Sequence, residues 1–482
     1  MGLVGIFVAL GLLIWLSFRG WSVLLLAPAV AIVAAAFAGE PLLAHWTQTF
    51  MGSAAQFIAQ FFPIFLLGAL FGKLMDDSGS VNAIARFMSD KFGPRRAILA
   101  VVLAGALVTY GGVSLFVAFF VLVPMARELF RAANIPHRLM PAAIALGTST
   151  FTMSAMPGTP AIQNTIPMPF FGTTPFAAPG LGLVAAAIML AFGLWWLGRA
   201  ENAARKVSEG YDAEPGTGAA ADNQFVRERA TSSHEFDPAE IAHGKRSAVP
   251  PPIGTAIAPL IVVVGVNLAM SLLILPRLDF SFLREEFWGG TSLAGVAGVW
   301  SVAVALASAS ATLVALNRTR LPELRASMDA GANAAVLPIF SVASLVGFGA
   351  VVAALPAFAL VRDWVLSISG GPLVSLAIAT NVLAAVTGSA SGGLTIALDA
   401  LGDTYLQIAQ TSHIDPGLMH RIAVIGSGTL DSLPHNGAVV TLLAVCGSTH
   451  RKSYFDMVMA NIVGPIIALA VVIALGSMLG SF

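Results

Sequence analysis

Residues 147–160 read GTSTFTMSAMPGTP, and they interrupt an apolar stretch at about 139–165. A series of small and polar residues that ends in two prolines cannot continue as a regular α-helix, because each proline removes a backbone donor. Unwound backbone is tolerated in a bilayer only where it is buried in protein or lines a cavity. The stretch therefore predicts a transmembrane helix that is broken beside a cavity.

A second interruption of the same kind, GSGTLDSLPHNG at 426–437, divides the apolar stretch at about 418–447. The two interruptions align without gaps at an offset of 279 residues, which pairs Gly147 with Gly426 and Thr150 with Thr429. The first and second breaks, as we call them, therefore indicate an internal duplication.

Two further apolar segments, at about 97–126 and 371–401, also correspond at this offset. Small residues divide each of them in the middle, with TYGGVS at 109–114 and TGSASGG at 387–393. Such a division is typical of a re-entrant hairpin with a tip of small residues.

The remaining apolar windows complete a prediction of five transmembrane helices and one hairpin in each half. Counting the two broken helices, the ten predicted spans cover 3–18, 21–39, 54–72, 139–165, 175–198, 253–275, 293–316, 329–354, 418–447 and 455–478. An odd number of crossings inserts the second copy upside down, which is the inverted-repeat architecture of secondary transporters. The predicted fold is an all-α polytopic membrane protein with repeats at 1–198 and 253–482 and a hydrophilic cytoplasmic linker at 199–252.

Composition agrees with this class. The 482 residues are 57% hydrophobic and 10% charged, whereas a soluble domain is about one quarter charged. The lipid bilayer is therefore the main solvent. The 25 basic residues are balanced by 25 acidic ones, which leaves no basic surplus for nucleic acid. A single cysteine, Cys446, excludes a multi-cysteine metal site, and we expect no cofactor.

The distribution of lysine and arginine predicts the orientation. If the amino terminus is outside, 21 of the 25 basic residues lie in cytoplasmic segments, as the positive-inside rule requires. The four that lie outside are Arg277, Arg284, Arg362 and Arg421. Both termini are then periplasmic.

The breaks and hairpin tips are the predicted substrate site, where the amino termini of half-helices hold a carboxylate. The two breaks and the two hairpin tips contain no Lys or Arg, so amides and hydroxyls must bind the anion. The alternative is that small residues merely let helices pack closely. The candidate substrate-binding residues are Gly112, Ser114, Thr148, Ser149, Thr150, Pro157, Gly158, Ser389, Ser391 and Asn436.

Asp431 and His435 are candidates for coupling transport to protons, since ionisable side chains at membrane depth are costly and usually functional. The alternatives are that Asp431 caps a half-helix and His435 stays neutral, or that sodium bound at the serine- and threonine-rich tips drives transport.

Enzymatic functions fit less well. The sequence has no G-x-x-x-x-G-K-[ST] phosphate loop and no H-E-x-x-H motif. An intramembrane hydrolase using Ser432 or Ser154 with His435 and Asp431 stays open by residue type, but it would not explain a duplicated scaffold. We therefore expect a transporter rather than an enzyme.

Several motifs resemble the gluconate permease (GntP-type) family of bacterial proton symporters. They are LLGALFGKLM at 66–75, YGGVS at 110–114, PGTPAI at 157–162 and GSG at 426–428. The resemblance implies a multi-pass inner-membrane symporter for small hydroxylated carboxylates. The segment SAMPG at 154–158, with Asp431 and His435-Asn436, is more similar to relatives assigned to 3-hydroxybutyrate. We expect import of a short hydroxy acid with protons; a gluconate-type sugar acid or sodium coupling is the alternative, and a homo-oligomer is left open.

Overall fold

The computed structural model describes residues 1–19, 21–211, 246–247, 249–434 and 436–482, and within them the chain forms helices and no strand. The first half contains α1 (Gly2–Phe18), α2 (Val23–Ala38), α3 (Met51–Asp77), α4 (Ser80–Phe92), α5 (Ala97–Tyr110), α6 (Leu115–Ala132), α7 (Met140–Thr148), α8 (Phe151–Ser154), α9 (Ile162–Thr165), α10 (Pro167–Phe171) and α11 (Pro179–Lys206).

The second half contains α12 (Ile253–Ala269), α13 (Leu293–Asn317), α14 (Leu324–Ala334), α15 (Val336–Ala354), α16 (Phe358–Leu366), α17 (Pro372–Thr387), α18 (Ala390–Thr411), α19 (Pro416–Ser427), α20 (Gly437–Cys446), α21 (His450–Val458) and α22 (Gly464–Leu479). Several of these join through π-helical or 3-10 turns, so that the continuous helical segments are longer than the α-helices themselves.

Six continuous helical segments of the described chain are long and apolar enough to cross a membrane. They are Leu42–Asp77, Pro179–Lys206, Ile253–Arg277, Leu293–Arg320, Leu324–Ala354 and His450–Leu479. The pair Ser80–Phe92 and Pro94–Tyr110 would make a seventh but bends by 98°. The prediction of an all-helical polytopic protein is confirmed. The other predicted spans correspond to shorter helices or to helices divided by a break.

Helix packing brings the breaks and hairpins together. The two helices of each hairpin, α5 with α6 and α17 with α18, pack against each other. The first helix of each hairpin also packs along the helix that precedes a break, α5 on α7 and α17 on α19. Helices α3 and α15 pack on each other, and α11 packs on α22. Each hairpin tip is consequently held beside one of the breaks.

The predicted linker at 199–252 falls largely outside the described residues, which resume at Arg246 after Tyr211. Arg246 forms an ion pair with the buried Asp76 of α3 at 2.7 Å. One turn earlier in α3, Lys73 pairs with Asp77 at 2.9 Å. The carboxyl-terminal end of the linker is thus fastened to α3.

Candidate functional site

A small central cavity of about 30 Å³ lies where the two breaks and the two hairpin tips meet. Its wall includes Ser149 and Ser154 from the first break, Gly428 and Asp431 from the second, and Ala390 from the second hairpin. The breaks touch directly, since a Cβ atom built on Gly428 would lie 2.9 Å from the Ser154 Cβ. The cavity is therefore small in this conformation, with room for about two water molecules.

The hydroxyl groups at the first break hydrogen-bond to backbone carbonyls at the end of α7, which is buried. Thr148, Ser149 and Thr150 each donate to the carbonyl oxygen four residues earlier, at 2.8, 3.0 and 2.6 Å. The three hydroxyls thus bond to carbonyls of the last two turns of the same helix. Ser149 lines the central cavity, whereas Thr148 and Thr150 are buried and are not among its lining residues. The structure thus brings one of the three predicted hydroxyls to the cavity.

Pro157 and Gly158 form a braced loop rather than a wall of the central cavity. The Tyr110 hydroxyl donates to the Pro157 carbonyl at 2.8 Å, and the Asn267 side chain donates to the Gly158 carbonyl at 3.0 Å. Gly158 has φ +79°, in the left-handed region that favours glycine. These two predicted residues position the polypeptide behind the site.

Three helices begin at the central cavity, and each has a polar cap. Ser114, Ser389 and Asn436 are the caps of α6, α18 and α20, and each side chain accepts a backbone N–H of its own helix, at 3.3, 3.2 and 2.7 Å. The first helical residues Leu115 and Ala390, and Ala438 of α20, line the cavity. Helix amino termini carry partial positive charge and favour anions. The arrangement suits a bound carboxylate.

Asn436 also joins the second break to the second hairpin, because its amide nitrogen donates to the Gly388 carbonyl at 2.7 Å. Thr429 of the same break hydrogen-bonds Asn381 of α17. Although Asn436 lines the cavity, both of its polar atoms are therefore used in holding the second break.

Asp431 is the one ionisable side chain among the described residues that line the central cavity. The Ser432 hydroxyl donates to its Oδ1 atom at 3.3 Å. His435, the other predicted coupling residue, lies outside the described residues. The coupling role of both residues stays a prediction.

A larger cavity of about 180 Å³ adjoins the central one, and other predicted residues line it. Gly112, Ser114 and Ser391 line it, together with Lys73 and Asp76 of α3. The two cavities have three wall residues in common, Leu115, Met153 and Gln163. The predicted substrate-binding residues are consequently distributed over two neighbouring cavities and the backbone behind them.

Asn461 belongs to the central cavity but was absent from the predicted site. It is 1% exposed, and neither of its amide atoms has a hydrogen-bond partner among the described residues. It lies in the π-helical turn Met459–Val463, since Pro465 has no N–H to donate to the Asn461 carbonyl. The Gln163 Oε1 atom is likewise unpartnered. The sequence signal is an amide residue four positions before a proline in an apolar segment.

Arg421 is one of the four basic residues that the orientation count places on the outer side of the membrane. It lies in α19, and its side chain is completely buried in the protein. Its Nε and Nη2 atoms donate to the Ala177 carbonyl at 3.1 and 2.7 Å, and Nη1 donates to Asn164 Oδ1 at 3.2 Å. Asn164 Oδ1 also accepts a hydrogen bond from His420 Nε2 at 3.3 Å, so that these side chains form one buried polar cluster.

Comparison with known proteins gives a consistent result. The model of the family described as GntP family permease matches residues 1–172. The uncharacterized transporter YxjC of Bacillus subtilis (strain 168) is 41% identical over 464 residues, which cover 95% of each chain. The crystal structure of the YdaH transporter of Alcanivorax borkumensis aligns with 90% of this chain and 87% of its own, at 16% identity and a TM-score of 0.48.

Proposed function

Because the chain belongs to the GntP permease family, we propose that it imports a short hydroxy acid, such as 3-hydroxybutyrate, together with protons. As a transporter of this family it is a multi-pass protein of the bacterial inner membrane and not an enzyme. This sets aside the intramembrane hydrolase that residue types alone left open.

The proposal includes an inverted repeat of five helices and one hairpin in each half, with residues 1–198 and 253–482 as the repeats. The packing supports it, because α2 packs on α15 while the corresponding α13 packs on α3. The matched glycines support it too: a Cβ atom on Gly147 would lie 2.4 Å from the Val102 oxygen, and one on Gly426 would lie 2.4 Å from Thr380 Oγ1. Equivalent hairpin helices thus approach equivalent glycines.

The unpartnered amide of Asn461 is the observation that carries the choice of substrate. A buried polar group without a hydrogen bond is costly, so the amide is expected to find its partners on a ligand. Its Nδ2 can donate to a carboxylate, whereas its Oδ1 and the Gln163 Oε1 need a donor. A ligand with both a carboxylate and a hydroxyl group meets these requirements, and a plain carboxylate leaves acceptors unpaired.

The position of Asp431 in the wall of the same cavity supports proton coupling. A substrate anion beside an ionised Asp431 would be repelled, so binding is easier once that carboxylate is protonated. Proton and anion then enter as a pair. His435 is proposed as the proton-exchanging partner of Asp431.

Uptake into proteoliposomes tests this function. We expect 3-hydroxybutyrate to be preferred over butyrate, and Asn461→Leu to raise the half-saturation concentration for 3-hydroxybutyrate about tenfold, the effect of losing one hydrogen bond to a charged ligand. Since the amide has no partner among the described residues, leucine should leave folding intact.

Thr441→Val is the matched control, because its buried, unpartnered hydroxyl does not line the cavity. Equal effects of the two variants, or equal uptake of butyrate, would contradict the proposed site. Preference for gluconate, or uptake that a sodium gradient drives and a pH gradient does not, would favour the alternatives.

A further inference from the structure

Arg421 carries a buried positive charge without a counter-ion among the described residues. Its side chain is fully buried, and its three hydrogen bonds go to neutral oxygens, two to the Ala177 carbonyl and one to the Asn164 side chain. No carboxylate of the described chain lies within ion-pairing distance of it. Burial of an uncompensated charge is expensive, and in membrane proteins such residues are usually functional.

The guanidinium lies directly behind the wall of the central cavity. Its partner Asn164 adjoins Gln163, and Gln163 lines that wall. On the other side, the Arg421 Nε atom and the Ala155 carbonyl oxygen both flank Gly182, at 3.3 and 2.5 Å from the position of a Cβ atom built there. Ala155 adjoins Ser154, which also lines the wall.

The distance to a bound anion allows a substantial interaction. Arg421 lies seven residues before Gly428 of the cavity wall, which corresponds to about 10 Å along a helix axis. The intervening material is protein and not water, so the attraction is only weakly screened. In contrast, the described residues of the wall include one ionisable group, Asp431, which is acidic.

We propose that Arg421 is the counter-charge for the transported carboxylate, acting through its field across the cavity wall without touching the substrate. The inference rests on the proposed function, and it adds a positioning residue for anion selectivity that the breaks and hairpin tips do not supply. A purely structural role would be to brace Ala177 and Asn164, and the two roles predict different results.

The test compares 3-hydroxybutyrate with its neutral amide, 3-hydroxybutyramide, by binding to the purified protein in nanodiscs. Arg421→Gln removes the charge but retains an amide donor. We expect the ratio of the affinity for 3-hydroxybutyrate to the affinity for its amide to fall about tenfold. Arg421→Lys keeps the charge, and the ratio should stay within twofold of wild type although the forked hydrogen bonds are lost.

Asn164→Asp provides a second variant, which places a carboxylate beside Arg421 and offsets its charge, although it loses the two hydrogen bonds that the Asn164 amide donates to the Thr159 and Pro175 carbonyls. It should lower the ratio as Arg421→Gln does. If neutralising variants weaken both ligands equally or leave the ratio unchanged, the residue is only a structural brace and the inference is wrong. A wild-type protein that binds neither 3-hydroxybutyrate nor another carboxylate overturns the proposed function, and this inference with it.

Discussion

Individual side chains at the site divide into those that hold the backbone and those that face the cavity. The hydroxyls of Thr148 and Thr150 and both polar atoms of Asn436 are used in holding the breaks. Asp431 and Asn461, in contrast, face the central cavity. Residue type does not separate the two groups, since each contains short polar side chains.

Asp431→Asn should therefore separate binding from energy coupling. Asparagine has the same shape but cannot exchange a proton, so we expect exchange of internal for external 3-hydroxybutyrate to persist while accumulation driven by a pH gradient is lost. Radiolabelled uptake with and without the gradient measures both. Asp329→Asn, at an exposed carboxylate of α14, is the control and should behave as wild type. Normal accumulation in Asp431→Asn would reduce that carboxylate to a helix cap.

At the scale of secondary structure, the helices before the breaks depend on glycines that admit a neighbouring helix. A Cβ atom on Gly147 would lie 2.4 Å from the Val102 carbonyl oxygen and 3.0 Å from its Cα atom, so α5 and α7 would have to separate. Backbone atoms cannot move aside as a flexible side chain can. This close contact holds the first hairpin against the first break.

Gly147→Ala should accordingly destabilise the protein by about 1–3 kcal/mol, the usual cost of overpacking, and lower its thermal unfolding temperature in detergent. Gly198→Ala in α11 is the matched control, because no atom outside the neighbouring backbone lies within 4 Å of the added Cβ. There alanine improves helix propensity by up to about 1 kcal/mol. Similar unfolding temperatures for the two variants would show that α5 can move away from α7 without a loss of stability.

On the scale of the whole molecule, the proposed inverted repeat predicts on which side of the membrane each loop lies. The positive-inside distribution and the odd number of crossings per half predict that the linker is cytoplasmic and that the loop after α18 is outside. The breaks would then meet near the middle of the bilayer, where alternating access requires the site to lie.

Cysteines introduced at Ser208 and Ser412 should be labelled from opposite sides by a membrane-impermeant thiol reagent. Both positions are exposed, and the natural Cys446 is buried and should stay unlabelled, so the signals can be assigned to the new cysteines. Intact cells and inside-out vesicles provide the two comparisons. Labelling of both cysteines from the same side would contradict the inverted repeat.

The sequence by itself determined the all-helical membrane class and indicated the positions of polar breaks. Hydropathy acts over one helix length, and proline and glycine act on their own peptide groups, so these properties can be recognised locally. The sequence therefore predicts the same role for Thr148, Ser149 and Thr150. Their spacing along the break does not specify which of these side chains turns back to the preceding carbonyls and which faces the cavity.

Only the tertiary structure decided that Asn461 is unpartnered in the cavity and that Arg421 is buried. Arg421 meets Ala177, which is 244 residues away in the chain. Burial and hydrogen-bond satisfaction depend on which distant segments pack together, and an arginine near the start of an apolar span is equally consistent with a surface position. Its hydrogen-bond partners, Ala177 and Asn164, lie in segments far from it in the sequence.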